Sequence, residues 1–237
     1  PKKLTPDNYK FSVAPMMGVT TPSARYLYRL ISKKTLLWSE MIAAQALHKG
    51  DVNKLLSKND IEHPVVLQVG GSEIDLLKNS AALAEKFQYD GINLNVGCPS
   101  KKVSQGNMGA CLMKESNLVK DCIAAMIEET SIHVSVKCRI GVDEFESYDF
   151  FKNFISTVAE SGCDTFIIHA RKAFLKGLDP KKNRTIPPLN YEYVYQVKKD
   201  FPNLKFIING GFIDLQDCQN QLTKVDGVMV GRAIQSN

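Results

Sequence analysis

Eight short runs of apolar and β-branched residues alternate along the chain with longer stretches of helical periodicity. The runs cover residues 11–14, 36–38, 65–69, 91–94, 133–136, 165–168, 205–208 and 227–230. Continuous apolar runs are typical of strands that are buried on both faces, as in a parallel sheet. Because these strands alternate with helices and no hairpin signal joins them, we predict an α/β fold whose eight parallel strands close into a (β/α)8 TIM barrel.

Length and composition agree with one globular unit. The chain has 237 residues, of which 44% are hydrophobic, and this suits the filled core of a single barrel. We therefore expect one catalytic domain over residues 1–237. The chain stops soon after the eighth run, so the helix that would follow that strand is expected to be absent. No apolar run approaches the roughly 20 residues that cross a bilayer, which favours a cytoplasmic protein without membrane contact.

The spacing of the cysteines and the lack of several known motifs argue against some kinds of metal and nucleotide site. Six cysteines are scattered without CxxC spacing, so neither a structural zinc site nor a disulfide framework is expected. We expect no metal centre. The sequence also lacks the GxGxxG, Walker A and HExxH motifs of Rossmann domains, P-loops and zincins. Most of the cysteines are interpreted as small buried apolar side chains in a reducing compartment.

Cys98 stands apart because it lies just beyond the end of the fourth run, in Asn95-Val96-Gly97-Cys98-Pro99. Loops at the carboxyl ends of barrel strands carry the chemistry of this architecture. A thiol with an ordinary pKa is mostly protonated at neutral pH, so it can donate a proton. No histidine lies near it in sequence to generate a thiolate, which favours a general acid over a nucleophile. A buried structural thiol is the alternative.

Most of the predicted strands end at a polar or otherwise special residue. These are Pro15, Met16 and Met17, then Glu40, Gln68, Asn95, Lys137, His169 and Asn209, and finally Gly231 and Arg232. A lysine that emerges from a buried strand needs a partner or a function, because burying its charge alone is costly. Gln68 offers both a donor and an acceptor to a planar heterocycle. His169 could equally be a rim histidine with satisfied hydrogen bonds. We interpret the set as a ligand-binding rim.

Two glycine turns are candidates for a phosphate site. Asn209-Gly210-Gly211 follows the seventh run, and Gly231-Arg232 follows the eighth. Phosphate sites in these barrels are commonly built from the loops after strands seven and eight. Glycine lets backbone N–H groups approach an anion, and arginine adds bidentate charge. Two ordinary tight turns are the alternative.

Positive charge is concentrated in the predicted loops of the catalytic face. The chain carries a net charge of +5. The loop residues are Lys101, Lys102, Arg139, Arg171, Lys172, Lys176, Lys181, Lys182, Arg184 and Arg232. Basic runs are usually solvated surface, but here they lie where a polyanion would dock. A polyanion bound through its phosphates would show steep salt dependence. Lys182 and Arg184 are the leading candidates for such contacts.

Together these motifs resemble the tRNA-dihydrouridine synthase family. The likeness covers residues 11–232 and includes segments 14–17, 93–99, 137–141, 169–172, 209–211 and 228–232. Segments 169–173, 177–178, 180–184 and 186–189 look like the A subfamily, the tRNA-dihydrouridine(20/20a) synthases.

The resemblance implies an FMN-dependent enzyme that NADPH reduces as an exchanging donor. A hydride would pass from flavin N5 to C6 of a D-loop uridine in tRNA, and Cys98 would protonate C5. The implied FMN contacts are Pro15, Met16, Met17, Gln68, Lys137, His169, Asn209, Gly210, Gly211, Gly231 and Arg232. The implied substrate contacts are Asn95, Arg139, Arg171, Lys182 and Arg184. The family's C-terminal helical domain, which helps grip tRNA, is expected to be missing from this chain. The oligomeric state stays open.

Two other functions fit part of the pattern. An FMN-dependent reductase of a free pyrimidine would keep the flavin site and the cysteine without needing the basic rim. A non-catalytic RNA-binding barrel would keep the basic rim and bind no flavin.

Overall fold

The structure is a computed structural model that describes residues 4–235, so residues 1–3 and 236–237 of the expected domain lie outside the described part. Its strands are β1 Phe11–Val13, β2 Leu37–Ala43, β3 Val65–Gly70, β4 Gly91–Val96, β5 His133–Arg139, β6 Thr165–His169, β7 Lys205–Asn209 and β8 Gly227–Val230. They form one sheet in the order β1-β8-β7-β6-β5-β4-β3-β2, and every neighbouring pair is parallel. The predicted parallel barrel is confirmed.

The barrel closes between β1 and the residue that precedes β2. Ser12 and Leu36 form a parallel bridge. The amide of Val13 donates to the Leu36 carbonyl at 3.0 Å, and the amide of Leu36 donates to the Phe11 carbonyl at 3.2 Å. This short contact joins the two ends of the sheet.

The helices follow the strands and cover the outside of the sheet. They are α1 Pro22–Ile31, α2 Ala44–Lys49, α3 Val52–Leu55, α4 Ile74–Lys86, α5 Lys101–Gln105, α6 Ser116–Glu129, α7 Tyr148–Ala159, α8 Tyr191–Asp200 and α9 Leu215–Gln221. Side-chain caps fix where several of them begin; the Ser147 hydroxyl, for example, accepts from the Phe150 amide at 3.1 Å. No helix within residues 4–235 is long and apolar enough to span a bilayer.

The period of two along each strand divides the apolar residues into two clusters. In β6, Phe166 and Ile168 belong to the large cluster between sheet and helices, whereas Ile167 belongs to a smaller cluster. That smaller cluster also holds Trp38, Val66, Ile207 and Met229. Since residues i and i+2 of a strand share a face, the next inward positions toward the carboxyl end are Gln68, His169, Asn209 and Gly231. Strand alternation therefore sets a polar layer directly above the apolar interior.

Several strands run further than the apolar pattern indicates. β5 continues to Arg139, β4 to Val96 and β2 to Ala43. As a result Asn95 and Lys137 lie within strands rather than in loops. The backbone ladder needs no apolar side chain, so a polar residue can occupy an inward position without ending a strand.

Candidate active site

A cavity of about 420 Å³ opens at the carboxyl end of the barrel. It is lined by Ala14, Pro15, Met16, Lys137, His169, Arg184, Asn209, Gly210, Gly211, Phe212, Ile213, Met229, Gly231, Arg232 and Ala233. The sequence-predicted cofactor residues are therefore brought together here, apart from two. Met17 is 69% exposed beside the cavity, and Gln68 is 1% exposed beneath it. The apolar lining residues, such as Phe212 and Ile213, carry no sequence pattern that marks them as part of a site.

The described lining of this cavity is cationic. It includes Lys137, Arg184 and Arg232, and it contains no aspartate or glutamate. The Nε atoms of Arg184 and Arg171 are buried and have no hydrogen-bond partner among residues 4–235. Guanidinium and ammonium groups bind anions through charge-assisted hydrogen bonds. The cavity is therefore suited to an anion.

Lys137 lies in the cavity wall near the end of β5. Its Nζ donates to Asn209 Oδ1 at 3.1 Å, and Asn209 Nδ2 donates to the Met229 carbonyl at 2.8 Å. Burial, and after it the charge of Arg139, lower the pKa of Lys137 to about 8.

His169 is neutral in this setting. Burial lowers its pKa well below the usual value, and Arg139, Lys137, Arg171 and Arg184 lower it further. The turn after β7 packs directly on the imidazole: a Cβ atom at Gly210 would lie 2.7 Å from His169 Cδ2. Gly210 also has a φ of 116°, which L side chains rarely adopt. Position 210 therefore requires glycine.

The cysteine loop is held on both sides of Cys98. Asn95 Oδ1 accepts from the amides of Gly97 and Cys98 at 3.0 and 2.9 Å. The carbonyl of Cys98 accepts from the Ala110 amide at 2.9 Å. The side chain of Cys98 is partly exposed, and its thiol is not in a disulfide. Backbone contacts therefore fix a free, partly exposed thiol in the loop after β4, the strand that pairs with the one carrying Lys137.

A buried polar layer supports this loop from below. Asn95 Nδ2 donates to Gln68 Oε1, and Gln68 Nε2 donates to Asn93 Oδ1, both at 2.9 Å. Asn93 Nδ2 in turn donates to Ser135 Oγ at 3.0 Å. A satisfied buried network of this kind fixes the positions of its members. Sequence reasoning missed Asn93 and Ser135, although strand alternation puts them on the same face as Asn95 and Lys137.

Arg139 differs from the other basic residues because it is only 3% exposed. Its Nε donates to the Gly97 carbonyl at 2.9 Å, and its Nη1 donates to the carbonyls of Lys172 and Asn183 at 3.2 and 3.0 Å. It was expected among substrate contacts. In the described structure its guanidinium instead ties the cysteine loop to the long loop after β6.

The long loop, residues 170–190, is organised around the fully buried Asn183. Asn183 Nδ2 donates to the Phe174 and Leu178 carbonyls at 2.9 and 3.1 Å, and its Oδ1 accepts from the Phe174 amide at 2.7 Å. These bonds shape the turn Lys182–Arg184, which leaves Lys182 exposed and Arg184 in the cavity wall. Nothing in a polar, basic run signals that its asparagine is buried.

The remaining basic candidates form a cationic surface around the cavity. Lys101, Lys102, Lys176, Lys181 and Arg232 are exposed, and Arg171 and Lys172 are partly exposed. Among residues 4–235, no group of three or more His, Cys, Asp or Glu side chains is arranged to hold a metal ion.

Comparisons with known proteins identify relatives along nearly the whole chain. Residues 12–237 match the family described as dihydrouridine synthase (Dus). A tRNA-dihydrouridine(20/20a) synthase of Synechocystis sp. is 51% identical over 226 residues, covering 95% of this chain and 68% of that protein. The enzymes of the same name from Escherichia coli (strain K12) and Yersinia pestis are 52% and 50% identical, each over 96% of this chain and 66% of the relative. The chain thus spans about two thirds of the length of these relatives.

A solved structure of a more distant protein shares the architecture. The structure of morphinone reductase in complex with tetrahydroNAD superposes with a TM-score of 0.67 over 94% of this chain and 82% of that one. The sequence identity is 12%, so this similarity supports the barrel fold alone.

Proposed function

The chain belongs to the dihydrouridine synthase family, and on that premise we propose that it is a tRNA-dihydrouridine synthase. It reduces the C5–C6 double bond of a D-loop uridine in tRNA, with FMN as cofactor and NADPH as exchanging donor. One observation carries the proposal: in a chain about half identical to tRNA-dihydrouridine(20/20a) synthases, a free, partly exposed thiol follows β4, the strand that pairs with β5, and β5 places Lys137 in the wall of a cationic cavity at the carboxyl end of the barrel.

The residues around the cavity fit FMN. Arg184 in the cavity wall and the exposed Arg232 suit its phosphate, together with the glycine turns at 210–211 and 231. Pro15, Met16 and Met17 would border the ring system, and Gln68 would support it from below. When bound, FMN would supply the hydride that reaches C6 of the uridine.

The protein's own groups have distinct roles in this scheme. The Lys137 ammonium stabilises negative charge at the cavity wall. His169, being neutral, offers a hydrogen bond without adding charge. The Cys98 thiol holds the proton that is delivered to C5 of the uracil ring. Asn95 positions the Cys98 amide, and Arg139 holds the adjacent carbonyl of Gly97 from the other side.

tRNA would dock on the cationic surface around the cavity. A target uridine must leave its stack to reach a site inside a barrel mouth, and contacts to the flanking phosphates would hold it there. Lys182 is exposed and Arg171 is partly exposed. Arg184 reaches the cavity itself, so its effect on RNA cannot be separated from an effect on the cofactor.

Lys182→Ala is expected to weaken tRNA binding about threefold at moderate salt, because it removes one exposed phosphate contact. The slope of log affinity against log salt should become shallower by about one unit. Reduction of bound FMN by NADPH should be unchanged. Lys199→Ala is the matched control, because Lys199 is an exposed lysine near the C-terminal end of helix α8 and not in the long loop after β6. Equal tRNA affinity for both variants would remove Lys182 from the RNA interface.

The activity itself is tested with purified protein, FMN, NADPH and tRNA that lacks the modification. We expect dihydrouridine to form in the D-loop, as measured by mass spectrometry of nuclease fragments, and free uracil to remain unreduced. Reduction of uracil without reduction of tRNA would identify a free-pyrimidine enzyme. A protein that binds tRNA but gains no flavin spectrum with FMN would be a non-catalytic RNA-binding barrel.

A further inference from the structure

A second cavity, of about 570 Å³, lies on the same face of the barrel beside the first. It is formed by the residues that follow β5 and β6 and by the first residues of α7 and α8. Its lining includes Phe145, Phe150, Phe174, Tyr193, Asn190 and Lys172. Apart from Lys172, which belongs to the cationic surface, none of these residues has a place in the function proposed above. The volume is within the range of small-ligand sites.

The cavity combines aromatic walls with polar groups. The rings of Phe145 and Phe150 are 5.2 Å apart, and Phe145 remains 40% exposed. Phe174 and Tyr193 are partly buried on the other elements. Asn190 and Ser147 supply hydrogen-bonding groups at the rim. Flat apolar surfaces beside polar groups are suited to a nucleobase, which has two apolar faces and a polar edge.

The charges of the cavity favour a neutral base over a phosphate. Glu146 forms an ion pair with Lys172, and Glu144 lies 3.9 Å from Lys114. The Lys172 ammonium also lies 4.5 Å from the centroid of the Phe174 ring. Each carboxylate therefore has a lysine beside it, and no lysine of this lining is left without an acidic partner. The phosphates of a bound strand would instead meet the exposed Lys176 and Lys181 of the same loop.

The two cavities share a wall. The Lys172 carbonyl accepts from Arg139, whose guanidinium also binds the carbonyls of Gly97 and Asn183. The side chain of Lys172 lines the second cavity, whereas Arg184, next to Asn183, lines the first. An RNA strand that places one unstacked base in the first cavity would have its neighbouring nucleotides close to the second.

We infer that the second cavity binds another unstacked nucleobase of the substrate tRNA, stacked on the Phe145 and Phe174 rings. The inference rests on the proposed function, because it takes tRNA as the ligand. It adds a recognition site at some distance from the reacting uridine, one that would help to select the RNA and its register.

Phe145→Leu is the direct test, since leucine keeps an apolar side chain but removes the stacking surface at an exposed position. Its affinity for substrate tRNA should fall at least about fivefold. FMN content and the rate of flavin reduction by NADPH should be unchanged. Tyr26→Leu, which removes an exposed ring from helix α1, is the matched control and should bind tRNA as the unmodified protein does. Equal affinity for the two variants would overturn the inference.

A second measurement identifies the occupant. A photo-crosslinking phenylalanine analogue at position 145 should link to one nucleotide of bound tRNA other than the reacting uridine. Crosslinks only to another copy of the protein would overturn the inference. Because binding and crosslinking do not depend on turnover, they separate the two proposals. A protein that forms no dihydrouridine but loses tRNA affinity on Phe145→Leu would refute only the reductase activity.

Discussion

Cys98→Ala is expected to slow tRNA reduction at least about a hundredfold while the protein keeps its flavin. General acids typically contribute factors of about 100 to 10,000, and the backbone of Cys98 is held by hydrogen bonds to Asn95 and to Ala110. The thiol does not line the cavity assigned to FMN, so cofactor binding should persist. The check is the rate of uridine reduction in a single turnover of pre-reduced enzyme.

Two variants make this test specific. Cys111→Ala removes another partly buried thiol, whose Sγ contacts the Met108 carbonyl at 3.1 Å, and its rate should stay within about twofold of the unmodified protein. Cys98→Ser keeps the shape of the side chain, but a hydroxyl is a far weaker acid, so its rate should also be low. A single-turnover rate that is unchanged in Cys98→Ala would refute the general-acid assignment.

The barrel could be predicted from the sequence because it depends on a local pattern that repeats. Apolar runs separated by helical stretches specify buried parallel strands, whichever residues lie at the strand ends. Most residues that line the first cavity could also be predicted, because in a strand residues i and i+2 share a face. His169 therefore lies on the same inward face as Ile167, and Asn209 on the same inward face as Ile207. The loops after β7 and β8 then bring the glycine turns to the same opening.

The features that the sequence could not predict depend on contacts between distant loops. Arg139 is interpreted from sequence as a cation for RNA, yet three carbonyls from two loops surround it in the fold. Asn183 is buried only because residues 170–190 wrap around it. The second cavity needs residues that follow β5 and β6 to meet the starts of two helices. Contacts between loops that are far apart in sequence produce no spacing pattern from which they could be predicted.

The dependence of FMN affinity on pH is expected to trace to Lys137. Burial is the main reason that its pKa lies at about 8 in the free protein, and the charge of Arg139 adds to the effect. Below that pH the ammonium is present and attracts the anionic cofactor. As the pH rises above about 8, the ammonium is lost, so FMN affinity should fall by up to roughly tenfold per pH unit.

Lys137→Gln separates this group from the other cations of the cavity. Loss of a charged hydrogen bond should weaken FMN binding roughly tenfold to a hundredfold at pH 7, and affinity should then be nearly flat from pH 7 to about 9.5. Lys114→Gln, at a lysine on the same face that pairs with Asp143 outside the FMN cavity, should keep the original profile. The measurement is a fluorescence titration of flavin-free protein at each pH. If the Lys137→Gln protein kept the same decline above pH 8, another group would be responsible.

The lowered pKa of Lys137 also makes the stability of the flavin-free protein depend on pH, in the direction opposite to that of FMN affinity. In the unfolded chain Lys137 titrates near 10.5, so between about pH 8 and 10.5 the unfolded state binds more protons than the folded one. The contribution of Lys137 to the stability of the flavin-free protein therefore rises with pH in that window, while FMN affinity falls. These two opposite trends are expected of a buried lysine that binds an anionic ligand, because the burial of its charge is unfavourable until the ligand is bound. Flavin-free Lys137→Gln should lack this rise in the free energy of unfolding, which denaturant titrations at pH 8 and 10 would measure.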